Sequence, residues 1–220
     1  MPRQHRISAM FSRFKLYRKV LAALLGLVWI IPTPAISGDS PQAIVAQFQS
    51  ALVEVMKEAK TLGVRGRFER LNPIVDHAFH IPLMAQIATA AAWAETSDDR
   101  RRDMVNAFRR MNISTLATLF DGYSGETFKI VGERDGPQNT RIVETVLTKS
   151  DKSTNEIAYV ARQFSSRWYL IDVVVDRGIS EISVRRSEYA RILKDQGIDG
   201  LIKTLNDKAD ELLSTPRAAN

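Results

Sequence analysis

At Asp121-Gly122-Tyr123-Ser124-Gly125 the hydrophobic pattern of this 220-residue chain changes period. That change constrains the fold more tightly than any other feature. Upstream, apolar residues recur at helical spacing; downstream, short strand-like runs follow one another closely. The strand candidates are Glu126 to Glu133, Thr140 to Lys149, Glu156 to Phe164 and Arg167 to Asp176. Their separators contain Asp135-Gly136-Pro137, Ser150-Asp151-Lys152-Ser153 and Ser165-Ser166. Connections this short join antiparallel neighbours, so the strands form a meander. Helices, then strands, then a closing helix make an α+β layout, not an alternating βαβ one.

The helical half is punctuated by caps and prolines. Ser40-Pro41 opens a first helix as cap and first-turn proline. Ile44, Phe48, Leu52, Val55, Ala59 and Leu62 give its apolar stripe, and Gly63 is expected to stop it. Phe68 and Leu71 start a second piece, expected to break at Asn72-Pro73. Pro73 to Phe79 and Pro82 to Ala94 read as two further short pieces. Ser97-Asp98-Asp99 caps a longer helix with Val105, Phe108, Met111, Leu116, Leu119 and Phe120 on one side. Helices from Ser180 to about Leu193 and from Ile198 to Leu213, split by Gly197, close the chain.

The N-terminus decides which partners are plausible. Arg3, Arg6, Arg13, Lys15, Arg18 and Lys19 precede the apolar run Val20 to Ile31, then Pro32, Pro34 and Ala35-Ile36-Ser37-Gly38. This is the order of a secretory signal, with cleavage expected near Ser37/Gly38. An uncleaved anchor is the competing reading; a spanning helix needs about 20 apolar residues, and this run stops at a proline. The chain has 31 Lys+Arg and 25 Asp+Glu. Removing residues 1–37 takes six of the basic residues and none of the acidic ones, leaving 25 against 25. A chain that looks basic becomes formally neutral, which disfavours nucleic acid as a partner. There is no cysteine, so neither a disulfide framework nor a lipidated N-terminal cysteine is available. The expected organisation is a signal peptide over 1–37, a single domain over 38–213 and a flexible tail over 214–220.

Catalytic chemistry has few candidates. Asp76, His77 and His80 are the one cluster with metal-ligand or acid/base character, but Pro82 places His80 at a helix end. There is no Gly-x-Ser-x-Gly, no His-Glu-x-x-His and no glycine-rich phosphate loop. Asp172 lies inside the apolar run Tyr169 to Val175. It is either a general base in a cone-shaped pocket or a structurally paired acid, with an arginine of the next helix as the expected partner. Arg100-Arg101-Arg102 and Arg109-Arg110 read as a solvated helix face, with contact to phosphate headgroups or an acidic protein surface as the sharper alternative. No metal and no cofactor are expected.

The last strand candidate is apolar on both faces: Trp168, Leu170 and Val174 on one, Tyr169, Ile171, Val173 and Val175 on the other. Phe79, Met84, Trp93, Phe108, Leu116 and Phe120 supply material to cover one face. Such residues build either a filled core or the wall of an apolar cavity. Periodicity does not separate the two, because both face inward.

The segment Arg167-Trp168-Tyr169-Leu170-Ile171-Asp172-Val173 is followed by Arg177-Gly178-Ile179-Ser180, Arg185-Arg186-Ser187-Glu188-Tyr189 and Gly197-Ile198-Asp199-Gly200-Leu201. Val75-Asp76 before Pro82, Met84-Ala85, Trp93 before Ser97, Phe108 and Tyr123-Ser124-Gly125 precede it in order. The ordered set resembles the MlaC family, also called the toluene-tolerance family, across about Ser40 to Leu213. Arg65-Gly66-Arg67-Phe68-Glu69-Arg70 and Phe120 to Gly125 look like its hopanoid-associated branch. Two positions depart from the family: Ala90 stands where a glycine is usual, and Leu116 where a tyrosine is frequent.

The resemblance implies a four-stranded antiparallel sheet packed with several helices around an apolar cavity. It also implies a non-enzymatic, periplasmic, monomeric carrier of phospholipid or hopanoid-like lipid. Its partners would be inner- and outer-membrane lipid-transport complexes of an ABC-transporter-associated system that maintains outer-membrane lipid asymmetry. On this reading the lipid-facing residues are Phe79, Met84, Trp93, Phe108, Leu116, Phe120, Phe128, Tyr159, Trp168, Leu170 and Val174. The physical demand is plain. Exposing an acyl chain to water costs about 0.8 kcal/mol per methylene, on the order of 12 kcal/mol for a 16-carbon chain. Two alternatives stand beside the carrier: an enzyme using Asp172 or Asp76/His77/His80 as acid or base, and an accessory of a membrane complex that carries no cargo.

Overall fold

The computed structural model describes residues 40–175 and 178–214. The signal segment over 1–37 and the tail beyond Ser214 lie outside the described residues. The elements run α1 (Pro41–Lys57), α2 (Ala59–Ala78), α3 (Ile81–Thr89), α4 (Ala92–Glu95), α5 (Asp98–Leu119), β1 (Thr127–Gly136), a 3-10 turn (Pro137–Asn139), β2 (Thr140–Thr148), β3 (Thr154–Phe164), β4 (Arg167–Val175), β5 (Ile179–Ser180) and α6 (Glu181–Ser214). The sheet is an antiparallel meander in the order β1-β2-β3-β4-β5. It has five strands where the sequence reading expects four. The fifth is two residues long and follows a glycine at φ 116°, too short to leave an alternating pattern.

Local signals hold at several helix ends. The Ser40 side chain accepts from the Ala43 amide, and Ser97 accepts from Arg100. Gly197, at φ 67°, breaks α6 as expected. Gly63 behaves differently. The first helix already ends at Lys57, and Gly63 is a left-handed break inside α2. Nor does Pro73 end a helix, because α2 runs through it to Ala78. Leu71, Val75 and Ala78 are buried along one side of that turn. Pro73 and Glu69, whose carbonyl loses its i+4 donor, are on the exposed side. Packing thus outweighs a penalty of about 3 kcal/mol. Buried Arg67 ties this helix to α5 by donating to the Ala117 carbonyl at 2.7 Å, and spans the Gly63 break by donating to the Ala59 carbonyl at 2.8 Å.

The main core lies between the helices and one sheet face. That face carries Val143, Thr145, Tyr159, Ala161 and Leu170, all buried. Phe48 stacks edge-on against Phe79 (5.0 Å) and Tyr159 (6.1 Å). The His80 amide donates to the Leu170 carbonyl at 2.9 Å, fastening the α2–α3 junction to β4. In a helical layer above, Phe108 meets Tyr189 of α6 at 6.5 Å.

Ala90, the C-cap of α3, sits at φ 52°, ψ −126°, which a Cβ disfavours. This is the position where the resemblance leads to the expectation of a glycine. Ala90→Gly is expected to stabilise the protein by about 1 kcal/mol, after the glycine's larger unfolded-state entropy is counted, and to raise the Tm by about 2–4 °C. Thermal unfolding followed by circular dichroism checks this; an unchanged or lower Tm contradicts it.

Candidate functional site

A cleft of about 580 Å³ opens at the helix–sheet interface, at the β1 edge. One wall is a single face of α1, where Ala46, Gln49, Ser50, Val53 and Lys57 fall at helical spacing. The other is β1, with Thr127 to Ile130, closed by Tyr123 and Glu126 of the preceding loop. Ala46, Val53, Phe128 and Ile130 make the wall apolar, and Glu54, Lys57, Glu126 and Lys129 give it charge. Lys57 pairs with Glu54 at 2.7 Å and lies 5.7 Å from the Tyr123 ring centre. Glu126 accepts from the Ser124 amide at 2.6 Å, which shapes the loop. The volume falls within the range typical of ligand sites. A smaller, mostly apolar groove of about 330 Å³ opens between α1 and α2, lined by Phe48, Ala51, Ile74 and Ala78 among others.

Beneath the cleft lies a buried polar node. Gln49, 4% exposed, donates from Nε2 to Thr145 Oγ1 at 3.1 Å and to the Tyr159 hydroxyl at 3.4 Å. Thr145 passes its own hydrogen to the Ile157 carbonyl at 2.8 Å. Burial pushes the Tyr159 hydroxyl up to about 12, with the Gln49 bond opposing the shift. Burial also pushes Tyr189 up to about 12, and its oxygen is buried with no hydrogen-bond partner among the described residues. Both phenols ionise more readily in the unfolded chain, so their stabilising contribution is complete below pH 10 and is lost as the pH rises through 12. The urea midpoint is expected to stay level to about pH 9 and to fall between pH 10 and 12. Tyr189→Phe, which sacrifices no hydrogen bond, should be near neutral at pH 7 and should shallow that fall.

The eleven expected lipid-facing residues are divided among several places. Phe79, Tyr159 and Leu170 meet in the filled core, with Trp168 half-buried beside them. Met84 and Phe108 are buried among the helices, and Leu116 and Phe120 are half-buried at the end of α5. Leu119, expected on the apolar side of α5, is 67% exposed. Trp93 packs under Arg101, whose guanidinium lies 5.6 Å from its ring and donates to its carbonyl. Phe128 alone of the eleven lines the cleft. Val174 is a correction. Pairing passes from Val160–Asp172 to Ala161–Leu170, leaving Ile171 as a bulge. The extra residue flips the alternation, so Val173 joins Leu170 on the core face while Val174 lines a groove on the opposite one.

The candidate catalytic groups are bound into the scaffold. Asp172 accepts from Ser180 Oγ (2.6 Å), the Ile182 amide (3.1 Å) and its neighbour Val173 (2.8 Å). It therefore caps α6, so its partner is a helix N-terminus and not the expected arginine. Asp76 is held by the Arg109 guanidinium. His77 meets Arg167 at 2.8 Å, and His80 Nδ1 caps α3 by accepting from Leu83 at 3.1 Å. The three do not converge. The arginine run is likewise engaged: Arg100 with Asp103 and Asp199, Arg101 with Asp98, Arg102 with Asp99, Arg110 with Asp210. Among the described residues no helix is long and apolar enough to cross a membrane.

Gln49 is the residue the sequence reading passes over. It was legible as a polar side chain on a buried stripe, four residues after Val45 and three before Leu52.

The molecule is thus an α+β protein in which α1 spans an antiparallel meander, sealing the core under β3 and β4 and leaving a cleft under β1. It belongs to the MlaC protein family, whose model matches residues 46–207. Its fold is similar to that of a phospholipid-binding protein from Ralstonia solanacearum, solved in complex with a phospholipid. The TM-score is 0.69 at 15% identity, covering 78% of this chain and 97% of that one. Among curated proteins no sequence matches this chain.

Proposed function

We propose that this protein is a non-enzymatic lipid carrier that shields acyl tails in the cleft between α1 and β1. The observation that carries the reading is the cleft itself, where Ala46, Val53, Phe128 and Ile130 offer an apolar surface beside charged groups. Tails gain from the apolar wall, and a headgroup stays near Lys57, Lys129 or solvent. Family membership and a similar fold that holds a phospholipid in another protein support this assignment. The engagement of Asp172, Asp76, His77 and His80 in structural bonds weighs against the acid/base alternative.

The fuller reading places the carrier in the periplasm, delivered by a cleaved signal over residues 1–37. There it moves phospholipid, or a hopanoid-type lipid, as a monomer between inner- and outer-membrane complexes. Mass spectrometry of organic extracts from gently purified protein is the test. Stoichiometric lipid is expected, and its class decides between phospholipid and hopanoid. A lipid-free protein that also takes up none from phospholipid vesicles overturns the carrier.

A further inference from the structure

The Gln49 amide presents a hydrogen-bond acceptor on the α1 wall of the cleft, between apolar Ala46 and Val53. Thr145 spends its only hydroxyl hydrogen on the Ile157 carbonyl, so its oxygen accepts from Gln49, and the amide nitrogen must be the atom facing it. Both Nε2 hydrogens are then used, on Thr145 and Tyr159. Gln49 Oε1 has no hydrogen-bond partner among the described residues, and its side chain lines the cleft. The residue itself is only 4% exposed. An aliphatic tail lying across this atom would strip its water and return nothing, at a cost comparable to that of a lost hydrogen bond. A ligand with a hydroxyl at that depth would satisfy it.

We propose that Gln49 is a specificity-determining residue that selects lipids carrying a hydroxyl on the portion lodged in the cleft, with Thr145 and Tyr159 as the positioning residues that orient its amide. This rests on the carrier reading above and adds a substrate class to it. The hydroxyl can belong to the tail or lie beside the headgroup, and Oε1 accepts from either.

Lipid-stripped protein is titrated with stearate, 12-hydroxystearate and 2-hydroxystearate. One hydroxylated acid is expected to bind about three- to tenfold more tightly than stearate. A preference for 12-hydroxystearate assigns the hydroxyl to the tail, and one for 2-hydroxystearate assigns it to the headgroup end. Gln49→Met, apolar and similar in length, should abolish the difference between the acids. Thr145→Val, which frees the amide to rotate, should shrink it and covers the case in which the first variant fails to fold. Equal affinity for all three acids, or a preference unchanged in the variants, overturns the assignment and leaves the carrier standing. Binding of none of them also overturns the assignment, whereas the carrier falls only if phospholipid from vesicles is refused as well.

Discussion

Phe128→Glu should yield a folded protein that carries no lipid. Phe128 is half-buried on β1, the edge strand of the sheet, and its ring lines the cleft. Solvent reaches a side chain there, so a carboxylate keeps much of its hydration and the fold loses only the transfer free energy of part of one ring, about 1–2 kcal/mol. An acyl chain entering the same cleft must lie against that carboxylate and displace its water. The desolvation penalty of several kcal/mol corresponds to a loss of about 100-fold or more in affinity. Lipid content by mass spectrometry and the circular dichroism spectrum are measured on the same sample. Native-like spectra with lipid retained would place the cargo elsewhere.

Leu170→Glu has the opposite expected outcome: no stable fold at 25 °C. Leu170 is fully buried on β4, with its carbonyl bound by His80 and its backbone bridged to Phe79. A carboxylate here would be fully buried among apolar side chains. Lost packing of about 2–5 kcal/mol adds to the desolvation cost, against a total stability of about 5–15 kcal/mol. The milder Leu170→Ala is expected to remain folded, with the Tm lowered by about 10 °C. Denaturant titration of the pair checks this; a Leu170→Glu protein as stable as the parent would mean that β4 faces open space. The sequence places both residues on one lipid-facing wall and so expects them to behave alike. They differ because Phe48 of α1 fills the space beside Leu170 against Phe79 and Tyr159, whereas the space between α1 and β1 is the cleft that Phe128 lines.

Much of the scaffold was readable from local chemistry. The turns after β2 and β3, the serine caps of α1 and α5 and the break at Gly197 act within a few residues of one another and lie where the sequence placed them, whereas Asp135-Gly136, expected as a separator, extends β1. Elsewhere long-range packing overruled the local signal. Pro73 continues α2 because Leu71 and Val75 are buried on the other side of that turn. Asp172 finds its partners at Ser180 and Ile182, only eight and ten residues away, yet that pairing exists only because β5 folds back and starts α6 beside it.

The sequence by itself determined the element types, the meander and the family, because these follow from periodicity, turn residues and an ordered set of side chains. Tertiary structure decided which apolar residues fill the core and which line a space, since both kinds face inward and look identical in one dimension. It also decided Val174, which one bulged residue at Ile171 moves to the other face, and Gln49, whose free oxygen is defined only by where Thr145 spends its hydrogen.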